Sequence, residues 1–243
     1  MSMIKLVKIR KKFDNRWVTK DVSLTIPKGK MTVIVGRSGE GKSVLLKQII
    51  GLIKPTSGSI IIENIDITKL RKKERTKALS KIGYVFQFAA LLDSLTVFEN
   101  VGLPLIEKGY SRKEILPIVT EKLELVNLHQ DTLYKYPSEL SGGMLKRVGL
   151  ARTLVHNPEI ILYDEPTTGL DPVTTRIVHE LMNTMQKKLN LTSVVVSHTV
   201  EAFKYADYVA LLQDGEIKYF GDAHTIWESK NPDIHNFIRG ISS

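Results

Sequence analysis

Apolar positions along the chain recur in two rhythms, and the change between them marks its parts. Residues 3–9 and 22–26 alternate or run apolar over strand length, and Pro27-Lys28-Gly29-Lys30 turns the second into a third. That third segment, residues 31–35, is an unbroken apolar run that stops at Gly36, the pattern of a strand buried on both faces. From Ser43 the spacing becomes helical through Val44, Leu45, Leu46, Ile49, Ile50 and Ile53, and Lys54-Pro55-Thr56-Ser57-Gly58 is expected to end that helix. Residues 59–63 and 81–86 again read as strands. Residues 88–157 are mostly helical in period, with Pro104, Pro117 and Pro137 as punctuation. Strands return at 160–163, 193–197, 208–212 and 216–220, the last two joined by a hairpin turn at Asp214-Gly215. The pattern predicts an α/β sheet domain interrupted by a helical insert, with no internal repeat and no linker to a second domain.

Three stretches carry chemistry. Gly36-Arg37-Ser38-Gly39-Glu40-Gly41-Lys42-Ser43 is a complete phosphate-binding loop between an expected buried strand and an expected helix. Its backbone N–H groups and the helix N-terminus favour a polyphosphate; Lys42 would reach the β- and γ-phosphates and Ser43 would ligate Mg²⁺. Residues 160–165 form an apolar strand ending in Asp164 and Glu165. Alone, such a pair reads equally as a solvated acidic turn. Beside a phosphate loop, Asp164 suits the Mg²⁺ shell and Glu165 the polarisation of an attacking water. Gln87 and His198 each follow a strand, where polar groups meet ligand in parallel sheets, although a lone histidine at a strand end is more often structural. Ser141-Gly142-Gly143 precedes a helical segment, 144–155. It is either an ordinary capped helix or a second anion site, which in a chain that already has one phosphate loop suggests a nucleotide held between two copies.

Composition narrows the reading without deciding it. The 243 residues contain no cysteine, which excludes disulfides and thiolate metal sites and fits a reducing compartment. No run approaches the ~18–20 apolar residues of a membrane span, and Met1-Ser2-Met3-Ile4-Lys5 lacks the apolar core of a secretory signal. The net charge of +9 includes clusters at Arg10-Lys11-Lys12 and across residues 71–77, the latter reading as an exposed helical face. Aromatic residues do not interleave with these charges as in single-stranded nucleic-acid binders, so no nucleic-acid partner is expected.

With these motifs in this order, the chain resembles the ATP-binding cassette (ABC) ATPases over nearly its full length. In that family the phosphate loop corresponds to residues 36–43 and the signature to Leu140-Ser141-Gly142-Gly143-Met144; the acidic pair is Asp164 and Glu165, the hinge glutamine Gln87 and the switch histidine His198. Gly169-Leu170-Asp171 looks like the segment that crosses the dimer interface, and Phe13 stands where an aromatic ring usually stacks on adenine.

The resemblance implies a phosphate-loop, RecA-like ATPase core with an antiparallel β subdomain (residues 1–87 and 158–243) and an inserted helical subdomain (88–157). It implies ATP and Mg²⁺ as cofactors. ATP would be held by Phe13, Gly36, Arg37, Ser38, Gly39, Glu40, Gly41, Lys42, Ser43 and Val44 of one copy, and by Ser141, Gly142 and Gly143 of a head-to-tail partner. Mg²⁺ would lie at Ser43, Gln87 and Asp164; catalysis would fall to Glu165, His198, Gln87 and Lys42; Asp171 would lie at the dimer interface.

Finer strings are similar to the ATPases of bacterial Mla-type lipid transporters: SGGMLKRVGLART (141–153), YDEPTTGLDPVT (163–174) and FQFAALLDSLTVFENVGLPL (86–105). They imply phospholipid movement between inner and outer membranes, at the cytoplasmic face of the inner membrane, with integral permease subunits and an MCE-domain lipid-binding protein. The apolar stretch Phe88-Ala89-Ala90-Leu91-Leu92 with Leu95, Val97, Phe98 and Val101 is either the insert's own core or a groove for a permease helix. The alternatives are an ABC ATPase for another substrate, or a soluble ABC ATPase linked to iron–sulfur assembly or nucleic acid. Glu40 departs from the family pattern by placing a carboxylate within the phosphate loop, and its side chain is expected to face solvent.

Overall fold

The computed structural model of the protein describes residues 2–240. Its alternating N-terminal strands are longer than the apolar pattern suggests: β1 (Ser2–Phe13) and β2 (Arg16–Pro27) form an antiparallel hairpin that extends through the basic stretch to the Asp14-Asn15 turn. β3 (Met31–Val35) is buried along its whole length. It leads through the phosphate loop into α1 (Lys42–Ile49). This helix stops before the expected Lys54 breaker. Gly51, at φ 74°, takes the left-handed cap position, and the N–H groups of Gly51 and Leu52 bond back to Gln48 and Lys47.

β4 (Ser57–Ile62) and β5 (Ile65–Asp66) continue the antiparallel part. α2 (Lys72–Leu79) contains no buried residue, as its basic composition predicts. β6 (Ile82–Val85) then returns to the sheet.

Between β6 and β7 the chain builds α3 (Val97–Ile106), α4 (Arg112–Leu125), two short 3-10 turns and α5 (Gly142–Leu154). Pro104 and Pro117 do not punctuate these helices; they lie inside α3 and α4. Pro117 is exposed and Pro104 partly so, whereas Val101, Leu105, Ile115 and Val119 of the same helices are buried. That packing outweighs one lost N–H per helix. Pro137 does open an element, as the first residue of a 3-10 turn.

The chain continues through β7 (Ile160–Asp164), α6 (Pro172–Lys188), β8 (Thr192–Ser197), β9 (Tyr208–Gln213), β10 (Glu216–Asp222) and α7 (Pro232–Arg239). The ten strands lie in the order β5-β4-β1-β2-β10-β9-β3-β8-β7-β6. The β9-β3-β8-β7-β6 stretch is parallel, and the β9–β10 hairpin joins it to the antiparallel strands through a single Glu216–Asp21 pairing.

Two cores flank this sheet, and alternate residues of each parallel strand serve them in turn. Val33, Val35, Ile161, Tyr163 and Val195 face the helices of the insert and α6. Ile34, Ile160, Leu162, Val194 and Val196 face α1 and the antiparallel strands. This two-sided burial is why the parallel strands read as continuous apolar runs. It also places every loop leaving a C-terminal strand end on one rim of the sheet: the phosphate loop after β3, Gln87 after β6, Asp164-Glu165 ending β7 and His198 after β8. Among the described residues, no helix is long and apolar enough to cross a membrane.

Candidate functional site

A cleft of about 790 Å³ opens along this rim, lined by Ser38, Lys42, Ser43, Gln87 and Glu165 together with the aromatic rings of Phe13 and Trp17. Gly39, Glu40, Gly41 and Val44 complete its phosphate-loop wall. Gly41 caps α1 at φ 92°, where a Cβ would stand 2.5 Å from Val18 Cγ1, so only glycine lets the loop pass the β2 backbone this closely. Gly36 and Arg37 lie behind the floor. Their carbonyls accept hydrogen bonds from the Lys42 ammonium, both at 2.8 Å. Lys42 is buried, and this burial lowers its pKa, opposed by the carboxylates of Glu165, Glu40 and Asp164. The ammonium is thus held with little water within the phosphate loop, at the start of α1, an arrangement suited to a polyphosphate.

Asp164, 6% exposed at the end of β7, joins the loop to the sheet. Ser43 Oγ donates to its Oδ1 at 2.6 Å, and Tyr84 Oη donates to its Oδ2 at 2.7 Å. Burial first, and then the Asp164 carboxylate, push the Tyr84 hydroxyl pKa far up, so Tyr84 stays a donor. A hydroxyl and a carboxylate in contact at the cleft edge, with the Gln87 side chain lining the same cleft, form a set of hard oxygen donors that fits Mg²⁺ and not a softer metal. Tyr84 carries no motif; only the parallel pairing of β6 with β7 puts it beside the acid.

Glu165 departs from the strand with a positive φ of 46°, its N–H donating to Val196 O. Its carboxylate accepts from Thr168 Oγ1 at 3.0 Å and lies 3.4 Å from His198 Nδ1. The two residues therefore meet, although His198 itself is half exposed and lines a neighbouring depression with Arg37 and Phe237. Phe13, in the same cleft, is 41% exposed and accessible for stacking, with the Lys11 ammonium 4.7 Å from its ring centroid. Trp17 also lines the cleft, with the Lys12 ammonium 5.7 Å from its ring centroid, a second aromatic that the motif pattern does not single out.

Glu40 modifies an expectation. Its side chain is only partly exposed and not free in solvent: its Oε2 accepts the backbone N–H of Asp214 at 2.7 Å, at the solvent-accessible edge of the cleft.

Ser141, Gly142 and Gly143 do not line this cleft. Ser141 caps α5 by accepting the Met144 N–H, and Gly143 is buried where a Cβ would stand 2.5 Å from Thr174 of α6. Gly143 thus has a packing role against α6, and the exposed part of the turn is Ser141-Gly142. Asp171 caps α6, accepting from Val173 and Thr174 N–H at 3.0 Å. Ser141 and Gly142 are exposed, and Gly142 lies close to Leu170. A family-wide sequence model described as ABC transporter matches residues 19–168, more than half of the chain.

The chain belongs to the ABC transporter family. It is 46% identical over 198 residues to the methionine import ATP-binding protein MetN of Carboxydothermus hydrogenoformans, covering 81% of this chain and 58% of that one. It is 40% identical over 234 residues to the probable ribonucleotide transport ATP-binding protein mkl of Mycobacterium tuberculosis, covering 96% of this chain and 65% of that one. The chain thus spans about three fifths of the length of the curated relatives it matches. Among solved structures, the dimeric ATP-binding cassette MJ0796 bound to ADP and Pi superposes with a TM-score of 0.83 at 36% identity, covering 91% of this chain and 99% of that one. Clostridium perfringens cbiO1, part of the ABC transporter complex cbiONQ, superposes with a TM-score of 0.86 at 28% identity, covering 98% and 95%. The ABC ATPase fold is therefore shared over almost the whole of this chain.

Proposed function

We propose that this ABC family member is the ATP-hydrolysing subunit of a transporter, that it works as a head-to-tail dimer, and that its transporter moves phospholipid between the inner and outer membranes of a diderm bacterium. The observation that carries the ATPase reading is one cleft lined by Lys42, Ser43, Gln87 and Glu165 together with the part-exposed Phe13 ring, with Asp164 bonded to Ser43. ATP spans it, base on Phe13 and phosphates in the loop formed by Gly36, Arg37, Ser38, Gly39, Glu40, Gly41, Lys42, Ser43 and Val44. Ser43, Gln87 and Asp164 would hold Mg²⁺, which when bound would neutralise charge on the phosphates. Lys42 stabilises the charge that develops on the γ-phosphoryl oxygens, and Glu165 takes the proton of the attacking water. His198, 3.4 Å from Glu165, orients that carboxylate toward the water.

Dimerisation is supported by the exposed Ser141-Gly142 helix start lying outside the cleft of its own chain, and by the dimeric form of the MJ0796 cassette. Asp171, which fixes the start of α6 beside that turn, lies at the interface in this reading. A permease partner is supported by the way the apolar segment divides. Val97, Phe98 and Val101 are buried in the insert's core, but Phe88 is 79% exposed and Leu92 47% exposed, leaving an apolar strip for a cytoplasmic permease helix. The subunit would then sit peripherally at the cytoplasmic face of the inner membrane. The phospholipid cargo and an MCE-domain partner rest on the strings around Met144, Asp164 and Phe88 and on the likeness to Mla-type ATPases.

Mild-detergent pull-down of the tagged chain, with lipid analysis of the bound material and an ATPase assay, tests this reading. A permease with an MCE-domain protein and phospholipid is expected. A permease that binds methionine and no lipid would replace the cargo; a soluble scaffold alone, or hydrolysis stimulated by nucleic acid, would replace the transporter.

A further inference from the structure

Three backbone segments converge beside the phosphate loop. The turn at Asp214-Gly215 between β9 and β10 lines the same cleft as the loop. Gly215 O accepts the Lys20 N–H at 2.8 Å, so this turn is fastened to β2. β2 in turn carries Trp17 and Val18 into the cleft and touches the loop, where Val18 abuts Gly41. The remaining side of this triangle, from the turn to the loop, is closed by a side chain: the Glu40 carboxylate accepting the Asp214 N–H at 2.7 Å. At the root of the loop, Gly36 approaches the Leu212 carbonyl of β9 so closely that a Cβ would stand 2.2 Å from its oxygen. The loop is therefore held at its root by β9 and at its tip by Glu40.

We infer that Glu40 is a positioning residue for nucleotide binding: its hydrogen bond to Asp214 N–H fixes the phosphate loop to the β9–β10 turn and so, through β2, to the wall of the cleft that carries Trp17. The inference rests on the ATP reading of the cleft and goes beyond it by giving a role to a residue whose charge alone would oppose ATP. Two effects of Glu40 have opposite signs. As a strap it preorganises the loop and tightens nucleotide binding. As an anion lining the same cleft as Lys42 it weakens the binding of a polyphosphate.

Substitution separates these effects. Gln keeps an acceptor oxygen for the Asp214 amide and removes the charge, whereas Ala removes both. If the strap matters, Glu40→Gln binds Mg²⁺–ATP at least as tightly as the parent chain, and Glu40→Ala binds it about five- to tenfold more weakly, the scale of one lost charge-assisted hydrogen bond that is partly replaced by water. Titration with a fluorescent ATP analogue in the full chain reads this directly. Amide hydrogen exchange at residues 213–216 adds a second readout: Glu40→Ala speeds exchange of Asp214 and Glu40→Gln restores its protection. If both variants tighten binding equally, or if neither changes it, the strap is wrong and Glu40 acts as a charge alone or not at all. If the parent chain itself binds no ATP analogue, the ATP reading fails instead, whereas the exchange measurement still decides whether Glu40 holds the turn.

Discussion

Replacing Tyr84 with Phe probes the junction between sheet and phosphate loop with the least disturbance. The ring packs against Phe86 at a centroid distance of 4.7 Å, and Phe retains that contact and leaves no cavity. The only loss is the hydroxyl that donates to Asp164 Oδ2 at 2.7 Å. Asp164 is 6% exposed, so water replaces that donor only in part, and Ser43 remains the partner of the other oxygen. A hydrogen bond to a charged group contributes about 1.5–3 kcal/mol; with partial rehydration from the cleft, a loss of about 1.5–2 kcal/mol is expected. At roughly 2–4 °C per kcal/mol for a domain of this size, the unfolding midpoint should fall by about 3–8 °C.

Circular dichroism melts without nucleotide measure it. Ser43→Ala should cost a similar amount, and the double variant should differ from the sum of the two by about 0.5 kcal/mol or more, because both hydroxyls serve one carboxylate. A Tyr84→Phe midpoint within about 1 °C of the parent, or strict additivity with Ser43→Ala, would refute the reasoning that these two donors jointly hold Asp164.

Glu165→Gln should retain ATP and lower turnover by about 10²–10⁴-fold, with a nucleotide-trapped dimer accumulating on size exclusion; turnover like that of the parent would remove Glu165 as the base. Ser141→Arg should abolish hydrolysis but leave nucleotide binding by the monomer intact, since Ser141 lies outside its own chain's cleft, and should cost about 1 kcal/mol from the lost α5 cap; loss of monomer binding would sink the shared-site idea. His179 in α6 is buried against Tyr205, with its Nδ1 making no hydrogen bond among the described residues, and this burial holds its pKa below the ordinary 6.5, against the opposing pull of Glu201. The unfolded chain then takes up a proton near pH 6.5 that the folded chain refuses, so this contribution is complete above that pH and is lost as the pH falls through it. His179→Phe should reduce the drop in urea midpoint between pH 7 and pH 5.5, and an unchanged drop would show that His179 does not couple folding to pH.

Reading along the chain located the elements well wherever a local pattern decides them. Residues 31–35, 160–164 and 192–197 are strands because their apolar runs bury both faces, and the phosphate loop is legible because strand, glycines and Lys42 are contiguous. Sequence and structure differ where a local signal competes with packing. Pro104 and Pro117 pattern as breaks but lie inside helices held by buried Val101, Leu105, Ile115 and Val119. The Lys54-Pro55 breaker predicts a later end for α1, whereas Gly51 ends it first. Trp17 and Tyr84 passed unnoticed because an isolated aromatic in a strand gives no local sign of what it faces.

By itself, the sequence determined the candidate chemistry: which residues form the phosphate-loop motif, which acids end the strand, and which family these motifs belong to. Those properties reside in residues that are neighbours along the chain or that keep a fixed order. Tertiary structure decided the partnerships. It brought Ser43 against Asp164, 121 positions apart, set Tyr84 on that carboxylate through strand pairing, and placed Glu165 beside His198. It turned Glu40 to an amide 174 positions away and left Ser141 and Gly142 exposed outside the cleft of their own chain. The physical reason is that side-chain identity is local, whereas a hydrogen bond at 2.7 Å between distant positions exists only once the sheet order has brought their strands together.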